Sequence, residues 1–147
     1  MIRVEPFQPW HFRAISLQPA QAHLAPMAED DVWGENVAKA GPGYTAMLGD
    51  IPLAAAGICP QWDNRAMAWA VLSSSACLHM LEITRAVRRF LDCRQEHRIE
   101  AQVKTNFEAG HRWARMLGFK REGTMRAYCY GEDFDLYARI REAPSWS

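Results

Sequence analysis

The pattern of hydrophobic and polar residues changes its period along the chain, and those changes predict the elements. Residues 44–48, 52–59 and 65–72 form short apolar or alternating stretches that turn residues separate, which predicts an antiparallel meander of three strands. From Cys77 to Cys93 the apolar residues recur at helical spacing, with charged residues on the opposite face. Residues 98–104 then alternate again as a strand.

The order strand, helix, strand also predicts a connection. Such a unit forms a right-handed crossover between parallel neighbours, so we expect residues 65–72 to run parallel to residues 98–104. The remaining predicted elements are a first strand at 2–7, helices at 10–17, 30–39 and 107–117, and a closing hairpin of 123–130 with 134–140. The tail from Glu142 to Ser147 is expected to be loose.

Local signals refine three of these elements. In the helix at 10–17 we expect Phe12, Ile15 and Ser16 to face inward. The stretch from Thr105 to Glu108 has the spacing of a capping box that opens the next helix. Gly118 is placed to end that helix in the left-handed conformation.

Composition and charge narrow the classes of partner. The chain has 147 residues, one domain's length, and its 17 basic and 17 acidic residues cancel, which argues against nucleic acid as a partner. The sequence contains no stretch of about 20 apolar residues, so it predicts no membrane-spanning helix. A neutral chain is prone to associate, which suits a homodimer or a protein partner.

The cysteines and histidines show no metal-binding spacing. The four cysteines are Cys59, Cys77, Cys93 and Cys129, without a paired motif, and we expect buried free thiols and no metal. Reduced thiols suit the cytoplasm.

One stretch and the order of elements resemble the GNAT acyltransferases. Residues 106–119 run from an asparagine through a helix to Leu-Gly-Phe, as in that family, and residues 120–123 and 135–137 are similar to its last two strands. The resemblance implies a single α/β domain over residues 1–147 with a GNAT-like fold. It would be a mixed, mostly antiparallel sheet of six to seven strands flanked by about four helices. More narrowly, residues 27–30, 111–113 and 117–119 resemble small GNAT-like proteins of T7-like phages.

The resemblance implies acetyl-CoA as a cosubstrate and a place for it. In that family the pantetheine arm lies where the fourth and fifth strands splay apart. The candidate cofactor-binding residues are the backbone of Val71 and Leu72, the helix start at Ser73, Ser74, Ser75, Ala76 and Cys77, and Asn106. Backbone N–H groups at a helix start can hold phosphate. The serines could instead only cap the helix, and the alanines of 65–72 could instead pack a helix tightly.

The resemblance also assigns catalytic candidates. The family's usual tyrosine falls at Ala114 here, so Tyr128 or Tyr130 on the closing hairpin, expected on one face, is the candidate acid. Candidate bases by residue type alone are Glu35, Asp63 and His79. Candidates for the CoA 3′-phosphate are Arg85, Arg88 and Arg89, which could instead form a solvated face salt-bridged to Glu82 and Asp92.

Two functions stay open at this point. One is an acyl-CoA-dependent N-acyltransferase that transfers an acetyl group to an unknown amine of a protein or small molecule. The other is a catalytically degenerate GNAT-fold interaction module, such as a phage protein that binds a host or virion component. Trp33, Trp62 and Trp146 are expected to be exposed and would suit an interface. Either protein is expected in the cytoplasm, the host's if the chain is phage-encoded.

Overall fold

A computed structural model describes residues 1–141, so the expected loose tail and Trp146 lie outside the described residues. The strands are β1 (Arg3–Pro6), β2 (Gly43–Leu48), β3 (Ile51–Trp62), β4 (Arg65–Leu72), β5 (Arg98–Lys104), β6 (Lys120–Cys129) and β7 (Glu132–Ile140). The α-helices are α1 (Pro9–Ala14), α2 (Ala25–Ala28), α3 (Asp31–Ala40), α4 (Met80–Asp92) and α5 (Glu108–Met116). A first 3₁₀ helix covers Pro19–Leu24, and a second covers Ser74–His79.

The strands form one mixed sheet of seven strands in the order β1-β2-β3-β4-β5-β7-β6. Every neighbouring pair is antiparallel except β4 and β5, which are parallel. The second 3₁₀ helix and α4 make the connection between those two strands. The predicted α/β fold class, the meander and the parallel pair are therefore confirmed.

The parallel pair is short, and this divides the sheet. Its register is Arg65 with Arg98, Ala66 with Ile99, and Met67 with Glu100. Beyond that point β4 continues beside β3 as far as Leu72, and β5 continues beside β7 as far as Lys104. The two halves of the sheet thus meet at one end and part at the other, leaving a gap between β4 and β5.

A cluster of ion pairs holds the closed end of this gap. Glu100 is buried between two guanidinium groups, and its carboxylate accepts hydrogen bonds from Arg65 Nη2 and Arg98 Nε, each at 2.6 Å. Arg98 also donates to Glu122 at 3.1 Å, and the Arg65 guanidinium lies 4.2 Å from the ring centroid of Trp62. The hydrogen bonds from Arg65 are the main cause that lowers the pKa of Glu100 from 4.5 to about 2.

Helices cover both faces of the sheet, as an apolar central strand requires. On one face, α4 and α5 pack through Leu91 and Ala114 onto Ile99 of β5. On the other face, α1 and α3 pack through Phe12 and Val37 onto Val71 and Trp69 of β4. Within residues 1–141 no helix is both long enough and apolar enough to cross a bilayer.

Two predicted helix starts differ from the structure. The helix expected from Cys77 begins as the second 3₁₀ helix and becomes α-helical only at Met80. The capping box at Thr105 does not form, and α5 begins at Glu108 after Phe107. The Thr105 hydroxyl instead donates to the buried carboxylate of Asp135 at 2.8 Å, a charge-assisted hydrogen bond that holds the side chain against β7. Gly118 has the expected left-handed conformation, with φ 92°.

Several predicted exposures and one turn are also corrected. Ser16 is exposed rather than inward, whereas Phe12 and Ile15 are buried. Trp33 is half-buried against Phe12, with ring centroids 4.7 Å apart, while Trp62 is exposed as expected. The four cysteines are free thiols, but Cys77 and Cys93 are exposed and Cys59 and Cys129 half-buried, so none is buried. The closing hairpin turns at Tyr130 and Gly131, both at positive φ, rather than at residues 131–133.

Replacing Glu100 with Gln should lower the free energy of unfolding by about 2–3 kcal/mol, because two guanidinium groups lose a buried charged acceptor. Glu122→Gln is the matched control, since the Glu122 side chain is 41% exposed, and it should cost under about 1 kcal/mol. Urea denaturation at pH 7 measures both. Because its folded pKa is lowered, Glu100 stabilises fully above pH 4.5, and the wild-type advantage should vanish as the pH falls toward about 2. Equal losses in the two variants would contradict the account.

Candidate functional site

A largely apolar cavity of about 490 Å³ occupies the gap between β4 and β5. Residues 68–72 of β4 and 101–104 of β5 form its two sides. Met80 and Trp113 line it on the α4 and α5 face, and Phe12 and Trp33 line it on the α1 and α3 face. The cavity therefore runs through the sheet from one face to the other.

Small side chains make room for the cavity. Ala68 and Ala70 of β4 line it, as does Ala114 of α5, which is buried. Ala114 is the position at which the sequence resemblance expects a tyrosine, so its side chain leaves space at the wall instead of a hydroxyl. Ala68 and Ala70 therefore pack against the helices and also border the open space of the cavity.

At the end of β4, the backbone groups that face the gap form hydrogen bonds with Gln18 and Gln21 rather than with a neighbouring strand. Gln21 of the first 3₁₀ helix donates from Nε2 to the Ala70 carbonyl at 2.7 Å. The Leu72 N–H donates to Gln21 Oε1 at 2.9 Å, and the Leu72 carbonyl accepts from the Gln18 N–H at 2.9 Å. The carboxamide of Gln21 therefore occupies two backbone groups on which the amide of a bound molecule could pair.

Of the two residues predicted to offer backbone groups to the cofactor, Val71 and Leu72, one faces the gap and the other faces β3. Backbone groups of successive strand residues point to opposite sides of the strand. Since Leu72 bonds into the gap, Val71 directs its N–H and carbonyl toward β3, where its partner is Ala55. Among the two, only Leu72 presents backbone groups to the gap, although both residues line the cavity.

Two buried polar atoms at the cavity have no partner within residues 1–141. These are Ser73 Oγ and Trp69 Nε1, and both residues line the cavity. An unsatisfied buried polar group costs about 1–3 kcal/mol. Ser73 also makes no capping bond from its side chain to the second 3₁₀ helix, so the purely capping interpretation fails for this serine. A ligand with polar groups would satisfy these atoms.

The other predicted cofactor-binding residues separate into two groups. Ser74, Ala76 and Cys77 of the second 3₁₀ helix line the cavity. Ser75 and Asn106 are exposed and are not among the lining residues. Asn106 lies in the turn that follows β5. The structure thus brings the start of the crossover helix to the cavity but not the asparagine.

The two candidate tyrosines occupy different positions. Tyr128 lies on β6, lines the cavity, and packs on Phe134 with ring centroids 5.7 Å apart. Tyr130 lies in the turn at φ 51°, is 64% exposed, and is not among the lining residues. Its ring lies 6.2 Å from that of His23. Of the two tyrosines, Tyr128 is the one that lines the cavity, and it is 46% exposed.

Sequence reasoning missed His23, which lines the cavity from the first 3₁₀ helix. None of the candidate bases Glu35, Asp63 and His79 lines it. Burial lowers the pKa of His23, as does the cation of Lys104, while Glu132 opposes them more weakly. The prolines around this segment break its hydrophobic periodicity, so the sequence offered no signal that it returns to the gap.

The arginines of α4 also differ from one expectation. Arg85, Arg88 and Arg89 are exposed, and in the described part of the chain none forms an ion pair. Asp92 pairs with Arg139 instead, and Glu82 lies 3.8 Å from His79. The prediction that these arginines form a salt-bridged face with Glu82 and Asp92 is therefore wrong. Their contact with the CoA 3′-phosphate stays a prediction.

The buried histidine of α5 is structural. His111 of α5 accepts a hydrogen bond at Nδ1 from the Tyr137 hydroxyl at 2.6 Å and donates from Nε2 to the Thr105 carbonyl at 2.9 Å. The tautomer follows from the carbonyl, which can only accept. Both ring nitrogens are satisfied and His111 does not line the cavity, so it anchors α5 to β5 and β7.

Comparison with known proteins identifies the fold. No protein-family model and no curated protein matches the sequence. Among solved structures, the ribosomal-protein-S5-alanine acetyltransferase of Vibrio fischeri is similar at TM-score 0.73 and 16% identity, covering 99% of this chain and 95% of that chain. The S18-alanine N-acetyltransferase of Escherichia coli gives 0.72 and 15%, covering 99% and 97%.

A third structure was solved with a ligand. It is a putative acetyltransferase of Salmonella typhimurium with its cofactor acetyl-CoA, similar at TM-score 0.69 and 10% identity, covering 98% of this chain and 96% of that chain. Identities at this level show the fold alone. The chain has the GNAT acyltransferase fold.

Proposed function

We propose that this chain is an acyl-CoA-dependent N-acyltransferase that transfers an acetyl group to an amine. The observation that carries the proposal is the gap, in which β4 and β5 meet over three residue pairs and then part around a cavity that crosses the sheet. Strands that part leave backbone groups that require partners. A pantetheine arm, which carries two amides on a narrow chain, supplies such partners.

The residues at the gap fit acetyl-CoA. Apolar walls suit the carbon chain of the arm, and Ser73 Oγ is a buried polar atom that lacks a partner within the described residues. The second 3₁₀ helix opens the crossover helix at the cavity mouth, where the N–H group of Ser74 would hold the pyrophosphate. The N–H groups of Ser73 and Ala76 already donate to the carbonyls of Leu53 and Ser73. The exposed Arg85, Arg88 and Arg89 on α4 are candidates for the 3′-phosphate.

The chemistry requires attack of an amine on the thioester and protonation of the departing thiolate. The apolar walls of the cavity disfavour water beside a bound thioester, which would limit its hydrolysis. Tyr128 is proposed to give its proton to the thiolate, because it is the one tyrosine among the described residues that lines the cavity. Tyrosine hydroxyls in general stay protonated at neutral pH and can still donate to a thiolate.

The acceptor amine is the finer part of the proposal. Two structural neighbours are named for the alanine of a ribosomal protein. A peptide that begins with alanine is therefore the first acceptor to try, followed by a lysine-containing peptide and small primary amines. The cytoplasm is the proposed setting, since the free thiols of Cys77 and Cys93 are exposed and suit a reducing compartment. A phage-encoded chain would act in its host's cytoplasm.

Acetyl-CoA binding tests the proposal. At about 100 times its dissociation constant, acetyl-CoA should stabilise the protein by about 2.7 kcal/mol, because it binds only the folded chain. Thermal unfolding with acetyl-CoA, with adenosine 3′,5′-bisphosphate and with buffer alone measures this. The nucleotide control separates binding of the arm from binding of phosphate alone. No shift with millimolar acetyl-CoA would contradict the proposal.

Replacing Gln21 with Ala should destabilise the free protein by about 1–3 kcal/mol, because it strips partners from the Leu72 N–H and the Ala70 carbonyl. The same change should tighten acetyl-CoA binding about five- to tenfold, since the ligand no longer displaces the Gln21 carboxamide. Calorimetric titration and urea denaturation measure the two effects. Gln61→Ala, at an exposed residue, is the control and should match wild type. Weaker binding by Gln21→Ala would show that the carboxamide is not displaced.

Tyr128→Phe should lower the rate of acetyl transfer about 10²–10⁴-fold, because it removes the proposed general acid and little else. Tyr130→Phe is the matched control in the adjacent turn and should retain wild-type turnover. Release of the CoA thiol, followed with the peptides above, gives the rate. Equal activity of both variants and the wild type would remove Tyr128 from this role.

A further inference from the structure

The lining of the cavity contains one imidazole and no carboxylate within residues 1–141. Its other ionisable side chains are the amine of Lys104, the phenol of Tyr128 and the thiols of Cys77 and Cys129. An amine that binds as an ammonium ion must lose a proton before it can attack a thioester. Of the lining groups, the imidazole of His23 is the ordinary base near neutral pH.

The fold fixes the position of His23. In the free protein, its 3₁₀ helix is tied to the end of β4 by the two hydrogen bonds of the Gln21 carboxamide and by the Gln18 N–H, which donates to the Leu72 carbonyl. When a ligand displaces the carboxamide, the bond from Gln18 still holds the helix there. The imidazole packs edge-on against Phe134, with ring centroids 5.9 Å apart. Tyr128 packs on that same phenyl ring at 5.7 Å. An imidazole and a phenol therefore flank Phe134 at the open end of the gap.

The charges that face His23 favour its neutral form. Lys104 on β5 is a neighbouring cation, and Glu132 at the start of β7 is the opposing anion, while Tyr130 in the preceding turn lies 6.2 Å away. Burial is the largest influence and Lys104 the next, so the pKa of His23 lies below its usual 6.5. At neutral pH the ring is then ready to accept a proton.

We infer that His23 is the general base of the acyl transfer and that the acceptor binds as an ammonium ion. His23 takes a proton from the ammonium, and the resulting amine attacks the thioester carbon. A C–N bond forms, the C–S bond breaks, and the thiolate takes its proton from Tyr128. The nitrogen of the new amide gives its second proton to the Tyr128 phenolate, and the His23 imidazolium releases its proton to solvent, so one proton is released for each acetyl group transferred. The inference rests on the proposed function and extends it to the acceptor side of the gap.

The pH dependence of kcat/KM with an alanine-initiated peptide tests this role. In the wild type, the acidic limb should follow His23 and lie below pH 6.5. His23→Gln should lower kcat about 10²–10⁴-fold. It should also move the acidic limb up to the pKa of the peptide amine, while the dissociation constant of acetyl-CoA stays within about twofold. The control is His97→Gln, at an exposed histidine that does not line the cavity, and its profile should match wild type.

The contrary results are distinct for the two proposals. An unchanged limb and rate in His23→Gln overturn the assignment of the base and leave acyl transfer standing. A wild type that does not bind acetyl-CoA overturns the proposed function and this inference with it. If acetyl-CoA binds but no acceptor is acetylated, the NMR resonances of the imidazole rings test the assignment of His23. The pKa of His23 measured by NMR should change when acetyl-CoA is added, while the chemical shifts of the His97 ring should stay constant. An unchanged His23 resonance overturns the inference.

Discussion

Glu100 joins the two halves of this sheet at the short parallel ladder through which β4 and β5 meet. Arg65 and Arg98 stand opposite each other in the register of β4 and β5 and would repel without it. The carboxylate accepts from both guanidinium groups, and Arg98 extends the cluster to Glu122. This fixes the closed end of the gap, and the right-handed twist of neighbouring strands then carries the unpaired ends apart.

A strand that parts from its neighbour leaves polar backbone groups that must be satisfied. At the end of β4 the chain supplies its own substitute, the carboxamide of Gln21, which bonds Ala70 and Leu72 as a peptide group would. The same contact brings the first 3₁₀ helix, and with it His23, over the open end of the gap. The need to satisfy the backbone groups of β4 therefore positions both Gln21, whose carboxamide competes with a ligand amide, and His23, the proposed base.

The hydrophobic periods carried enough information to predict the architecture. The apolar run at 65–72 indicated a central strand, because a strand that is buried on both faces is apolar at every position. The helical spacing that follows it indicated the crossover helix, because a helix that packs on a sheet is apolar along one stripe. The split between β4 and β5 has no such pattern. Its closed end depends on the ion pair of Glu100 with Arg65, which lies 35 residues away, so no local window of sequence contains both partners.

The candidate site was predictable only where it lies on regular elements. Leu72 and Ser73 follow directly from the end of a recognisable strand, and both line the cavity. Gln21 and His23 lie in a segment with prolines at 19 and 26 and no hydrophobic period, so their return to β4 could not be foreseen. The two tyrosines were equivalent in sequence, and the turn at Tyr130 and Gly131 is what separates them.

The central claim is that the gap between β4 and β5 is built to hold an acyl-pantetheine arm. A crystal structure of the protein grown with acetyl-CoA tests it most directly. The account predicts the arm between residues 68–72 and 101–104, an amide of the arm bonded to Leu72, and the Gln21 side chain moved off β4. Acetyl-CoA bound elsewhere on the surface, or a gap still filled by Gln21 at saturating acetyl-CoA, would contradict it.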